Sequence, residues 1–71
     1  MKLFIINEVL SDYTSGMAII AAENKDQCRE LFTKEFGEYY AKEFDNYAEF
    51  TVIESVGLDE AGVVQYVYGG G

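Results

Sequence analysis

The sequence predicts an α+β domain of order ββαββ: one antiparallel four-stranded sheet with one helix, kinked or broken midway, packed on one face. Three observations carry that expectation. Two β-branched apolar runs open the chain around a cluster of turn formers, a stretch of helical periodicity fills the middle, and two more strand-like runs close it. At 71 residues there is room for a single small domain, 1–71.

The first two strands are Lys2 to Leu10 and Met17 to Ala22, joined through Ser11-Asp12-Tyr13-Thr14-Ser15-Gly16 as a hairpin. Both alternating faces of this hairpin are apolar. Leu3 and Ile5 lie on one side with Phe4 and Ile6 on the other, and Ile19 lies opposite Ala18 and Ile20. Strands apolar on both faces are normally covered on both. One helix cannot cover two faces.

Asn24 is placed to cap a helix starting at Lys25, with Gln27 three residues later completing a capping-box-like pattern. Cys28, Leu31, Phe32 and Phe36 then recur at helical spacing as a core stripe, while Arg29, Glu30 and Lys34 point to water. Gly37 interrupts this pattern before Tyr40 and Phe44 resume it, which predicts a kink or two short helices. Phe50 to Val56 alternates as a strand, Leu58 to Gly62 reads as a turn, and Val63 to Tyr68 is the last strand before Gly69-Gly70-Gly71.

Charge narrows the function. Thirteen Asp and Glu against five Lys and Arg give a net charge of −8 and a pI near 4.1. Such a chain repels nucleic acid and anionic membrane and is steered toward a basic protein surface. There is no histidine, which removes the commonest general base and the usual triad and zinc ligand sets. A carboxylate pair tuned for catalysis needs a pocket, which a domain of this size rarely encloses. The expectation is a protein that is not an enzyme, with no catalytic residues, no cofactor and no metal. The single cysteine excludes an internal disulfide, which leaves self-association as the route to extra stability. The amino terminus shows no signal-peptide cleavage pattern and no run is long enough to span a membrane, so a cytoplasmic setting is expected.

Cys28 has two readings. It sits in the first turn of the predicted helix beside Arg29, where a thiol can be activated, yet it also occupies the core stripe, where cysteine acts as a small hydrophobe. The packing reading is favoured. The segment from Glu35 to Glu49 is singled out as the partner-binding surface. Glu35, Glu38, Glu43, Asp45 and Glu49 face Lys42 alone and alternate with Tyr39, Tyr40 and Tyr47, a combination of aromatic anchors and one-signed rim. The competing reading is a solvated helix face, with Glu38 and Lys42 as an ordinary i,i+4 pair. A second surface is the sheet face away from the helix, where either Tyr66 and Tyr68 or Val63, Gln65 and Val67 must lie, and which offers a homodimer contact.

The opening Met1-Lys2-Leu3-Phe4-Ile5-Ile6-Asn7-Glu8-Val9-Leu10, then Asp12-Tyr13-Thr14, Gly16-Met17 and Ala21-Ala22-Glu23-Asn24, with the closing Gly62-Val63-Val64 and Tyr66-Val67-Tyr68-Gly69, resembles small uncharacterised acidic proteins of bacteriophages. Their plan is similar to that of some anti-CRISPR proteins. The resemblance implies a non-enzymatic protein, acting in the cytoplasm of a bacterial host, that inhibits or redirects a host defence or nucleic-acid-handling protein, with no direct nucleic-acid or membrane binding. The terminal Gly70 and Gly71 are similar to the end of ubiquitin-like proteins and sulfur carriers, which implies the alternative of a carrier acting through its terminal carboxylate.

Overall fold

The computed structural model describes residues 1–54, 57 and 59–70. The chain runs β1 (Lys2–Asp12), β2 (Thr14–Ala22), α1 (Lys25–Phe36), α2 (Glu38–Asn46), β3 (Glu49–Ile53) and β4 (Gly62–Val67). All strand pairs are antiparallel, in the sheet order β3-β1-β2-β4. The hairpin strands are therefore central, and each later strand adds to one side. The expected class holds, with one correction: the order is ββααββ, and two helices rather than one pack on the same face of the sheet.

Gly37 makes that division. Its φ of 95° and ψ of 168° lie in a region essentially confined to glycine. Its N–H closes α1 on the Thr33 carbonyl (2.8 Å), and its carbonyl accepts the first α2 bond from the Ala41 N–H (3.1 Å). The start of α1 follows the expected cap. Asn24 Oδ1 accepts from the Gln27 N–H (2.8 Å), while Gln27 Oε1 reaches back to the N–H of Glu23 (2.6 Å).

The hairpin differs most from its sequence reading. The six-residue turn is absent: β1 runs to Asp12, β2 begins at Thr14, and Tyr13 alone forms the corner with φ 27°. Two bulges in β1 make this possible. Glu8 (φ 64°) is an extra residue between the Asn7–Met17 and Val9–Gly16 pairs, and a second register shift lies between Val9 and Asp12, where Leu10 has φ 54°. Without the first bulge, strand alternation would put Val9 on the face opposite Ile6. With it, Val9 joins Phe4 and Ile6, and both Val9 and Leu10 become fully buried. A left-handed backbone costs a non-glycine residue about 1–2 kcal/mol, whereas burying a Val or Leu side chain contributes about 1.5–3 kcal/mol. Burial wins.

Phe4, Ile6, Ala18, Ile20 and Ala22 of the sheet meet Cys28, Phe32 and Phe44 of the helices in one core. Phe32 sits at its centre, 4.9 Å from the Phe36 ring and 5.1 Å from that of Phe44, and Phe44 lies 5.1 Å from Phe50. Val63 also packs against this core, although alternation puts it with Gln65 and Val67. The cause is a register shift: Ile19 pairs with Gln65, but Ile20 pairs with Val63, leaving Val64 extra. The third strand ends at Ile53, short of the expected Val56. Residues 55 and 56, and Leu58 of the expected turn, lie outside the described residues. Among the described residues, no helix is long and apolar enough to cross a membrane.

The chain after β4 folds back onto the hairpin tip. The Gly69 N–H donates to the Leu10 carbonyl (2.9 Å), the Gly70 N–H donates to Thr14 Oγ1 (2.9 Å), and the Thr14 hydroxyl donates to the Gly70 carbonyl (2.9 Å). Gly69 is buried, and a Cβ there would overlap the Thr14 carbonyl oxygen. Nothing lies within 4 Å of a Cβ at Gly70. Gly69→Ala is therefore expected to destabilise the fold by about 1–3 kcal/mol, and Gly70→Ala by no more than about 0.5 kcal/mol. Urea denaturation of the two variants reads that difference.

Candidate functional site

The helix break at Gly37 and the docked strand β4 bring together aromatic rings that are far apart in sequence. Tyr39 and Tyr40 meet at 5.2 Å, Tyr40 and Tyr68 at 5.7 Å, and Tyr68 and Tyr66 at 5.7 Å. Phe36 lies beside the last two, 5.2 Å from Tyr66 and 6.2 Å from Tyr68, with near-perpendicular rings. Edge-to-face contacts of this kind stabilise by about 0.5–1.5 kcal/mol each beyond burial. The ladder is ordered yet open to solvent: Tyr39 is 74% exposed, Tyr66 44% and Tyr68 46%.

Carboxylates border the ladder. The Tyr40 phenol is held above its ordinary pKa first by loss of water around it and then by Tyr68, Asp12, Tyr39 and Glu43. The Tyr40 phenol thus lies in a negative field and stays neutral. Glu43 is fixed there by a hydrogen bond that its Oε1 accepts from the Ser11 N–H (3.2 Å). A row of π faces with negative charge beside it attracts Lys and Arg side chains by cation–π and Coulombic terms together.

The residues singled out in the sequence divide into two groups. Tyr39, Tyr40 and Glu43 belong to this ladder. Asp45 lies on another flank of α2, where both its oxygens accept from Arg29 at 2.8 Å. This pairing holds the Asp45 carboxyl below its ordinary range and the guanidinium above its own. The field of Glu38 also acts on Arg29. Among the described residues, the ion pairs are Arg29–Asp45 and Lys2–Glu54, so the expected Glu38–Lys42 pair is not formed. Glu35, Tyr47 and Glu49 are exposed, and the last of these is on β3. Tyr66 and Tyr68, assigned in the sequence to a possible sheet surface, complete the ladder instead. Their shared face on β4 was legible, but their proximity to α2 depends on where β4 docks.

Cys28 takes the packing role. It is fully buried, and desolvation pushes its thiol up to about 12, only partly opposed by Lys25. Gly70 is held against Thr14 as described, and Gly71 lies outside the described residues. No cavity opens among the described residues, and none of their acidic or cysteine side chains group in threes to hold a metal ion.

The buried thiol gives a direct check. Cys28 should resist a thiol reagent in the folded protein and react fully in denaturant. Because the unfolded thiol ionises near 9.0 and the folded one near about 12, its contribution to stability is complete below pH 9.0 and declines as pH rises toward the folded value. Denaturation midpoints measured across the alkaline range test that sign, and Cys28→Ala should remove that component of the slope.

Compared with family models, with curated proteins and with solved structures, the chain matches none.

Proposed function

We propose that this chain is a non-enzymatic binding protein that seats a basic segment of a partner protein on the Tyr39–Tyr40–Tyr68–Tyr66 ladder. The observation that carries the reading is the ladder itself: four partly exposed tyrosines in mutual contact, set beside Asp12 and Glu43. Aromatic residues anchor interfaces because they bury large area at little entropic cost, and a rim of one charge sign selects its complement. An open surface suits a protein partner, whereas small-molecule sites are concave.

In the setting implied by the resemblance to phage proteins, the partner is a host defence or nucleic-acid-handling protein. Its basic groove is one that phosphates otherwise fill, and the chain inhibits or redirects it by occupancy. The exposed carboxylates Glu35, Glu38 and Glu49 contribute long-range attraction, while Tyr39, Tyr66 and Tyr68 supply contact area. The carrier alternative requires one additional step. Gly70 must leave Thr14 before an activating enzyme reaches the terminal carboxylate.

Capture of bacterial proteins on the tagged chain at low and high salt tests the proposal. A nucleic-acid-handling protein retained at low salt and lost at high salt is expected, with Tyr39→Ala or Tyr68→Ala weakening retention about ten-fold. Glu35→Lys with Glu38→Lys should weaken it further by reversing the attraction. Retention unchanged by all four substitutions refutes the reading. A thiocarboxylate or covalent adduct at Gly71 in the mass spectrum would replace it with the carrier.

A further inference from the structure

We infer that the open face of the sheet is the contact between two copies of this chain, packed face to face. Both helices lie on the side of Phe4, Ile6, Ala18 and Ile20. Strand alternation therefore puts Leu3, Ile5, Met17 and Ile19 of the two central strands on the other side, and the register adds Ile53 from β3 and Val67 from β4. Among the described residues, no element covers them. The four central side chains are half-buried by their neighbours alone, and Ile53 and Val67 remain 43% and 54% exposed.

The distribution of charge identifies the occupant. Of the acidic residues in the strands, the register places Glu49 on this face, at the end opposite Asn7, and the bulged Glu8 lies at that same end, its carboxylate accepting from the Ser15 hydroxyl. Away from that end a basic partner finds no complement on the surface. A second copy does: a two-fold axis sets the same apolar patch against itself and leaves the carboxylates outside. Two sheets packed in this way lie about 10 Å apart, with strands about 30° from aligned.

The size is sufficient. Five register levels on four strands form a frame of roughly 17 by 19 Å. With side-chain relief, two such faces bury on the order of 1,000 Å² in total, the lower bound for a specific interface. A domain this small also has little core of its own, so covering this face adds apolar burial that the monomer lacks. The contact is independent of the tyrosine ladder, which lies on the helix side.

Salt separates the two. Each copy carries −8, so screening should tighten an apolar dimer while loosening an ion-paired complex. Sedimentation equilibrium over a concentration series is expected to show twice the 8.0 kDa chain mass, with tighter association at high salt. Thr51 and Gln65 are exposed polar residues on the same face. Thr51→Lys combined with Gln65→Lys should raise the dimer dissociation constant at least ten-fold with an unchanged circular dichroism spectrum. That change reports burial, because two added cations reduce the net repulsion. If the double variant unfolds, the thermal midpoint of the wild-type chain decides, since a dimer's midpoint rises with concentration. A monomer at all concentrations, a concentration-independent midpoint, or a dimer unaffected by the two lysines overturns the inference.

Discussion

The antiparallel pairing of β1 with β2 is the interaction on which the rest of the domain depends. Both strands are central, so within the sheet β3 is hydrogen-bonded to β1 and β4 to β2. The pairing survives two interruptions that in a weaker hairpin would end it. Each bulge places a non-glycine residue in a left-handed conformation, and each is offset by the full burial of Val9 or Leu10 against the helix layer. The bulges also carry the strands down to a one-residue corner. That brings the Leu10 carbonyl and the Thr14 hydroxyl to the tail that follows β4.

This arrangement determines where the two candidate surfaces lie. With β4 fixed beside β2, the shared face of Tyr66 and Tyr68 lies next to Phe36 and Tyr40, and the ladder forms across the junction of helix and sheet. With both helices on one side, the opposite face of the same strands keeps its apolar residues. A single topological choice therefore produces two surfaces of different character, one aromatic with carboxylates beside it and one apolar with its carboxylates confined to one end. They face different directions.

The parts of the fold legible in the sequence are those dictated by local chemistry. The Asn24 cap and the break at Gly37 are properties of short segments, and the structure places both at the expected residues. The bulges at Glu8 and Leu10 left no signal because neither residue is a glycine; they arise from a tertiary requirement to bury Val9 and Leu10 together. Nothing in the sequence separates Gly69 from the two glycines after it, since only the folded backbone of Thr14 shows why no Cβ fits there. Of the acidic segment, the sequence shows that Tyr39, Tyr40 and Glu43 lie close together on one helix, but not the ion pair of Asp45, because its partner Arg29 lies on the other helix.

The order in which the chain is made gives the central hairpin a further significance. β1 and β2 are complete when Ala22 has been added, but neither helix nor either flanking strand yet exists. Until those later elements dock, a ribbon apolar on both sides has nothing to cover it, and the Thr14–Gly70 contact that ties its tip to the tail spans 56 positions. During folding, the two edges of the hairpin that β3 and β4 later occupy are the places where a second chain can pair. Covering the hairpin is therefore a race between the folding of one chain and its encounter with another.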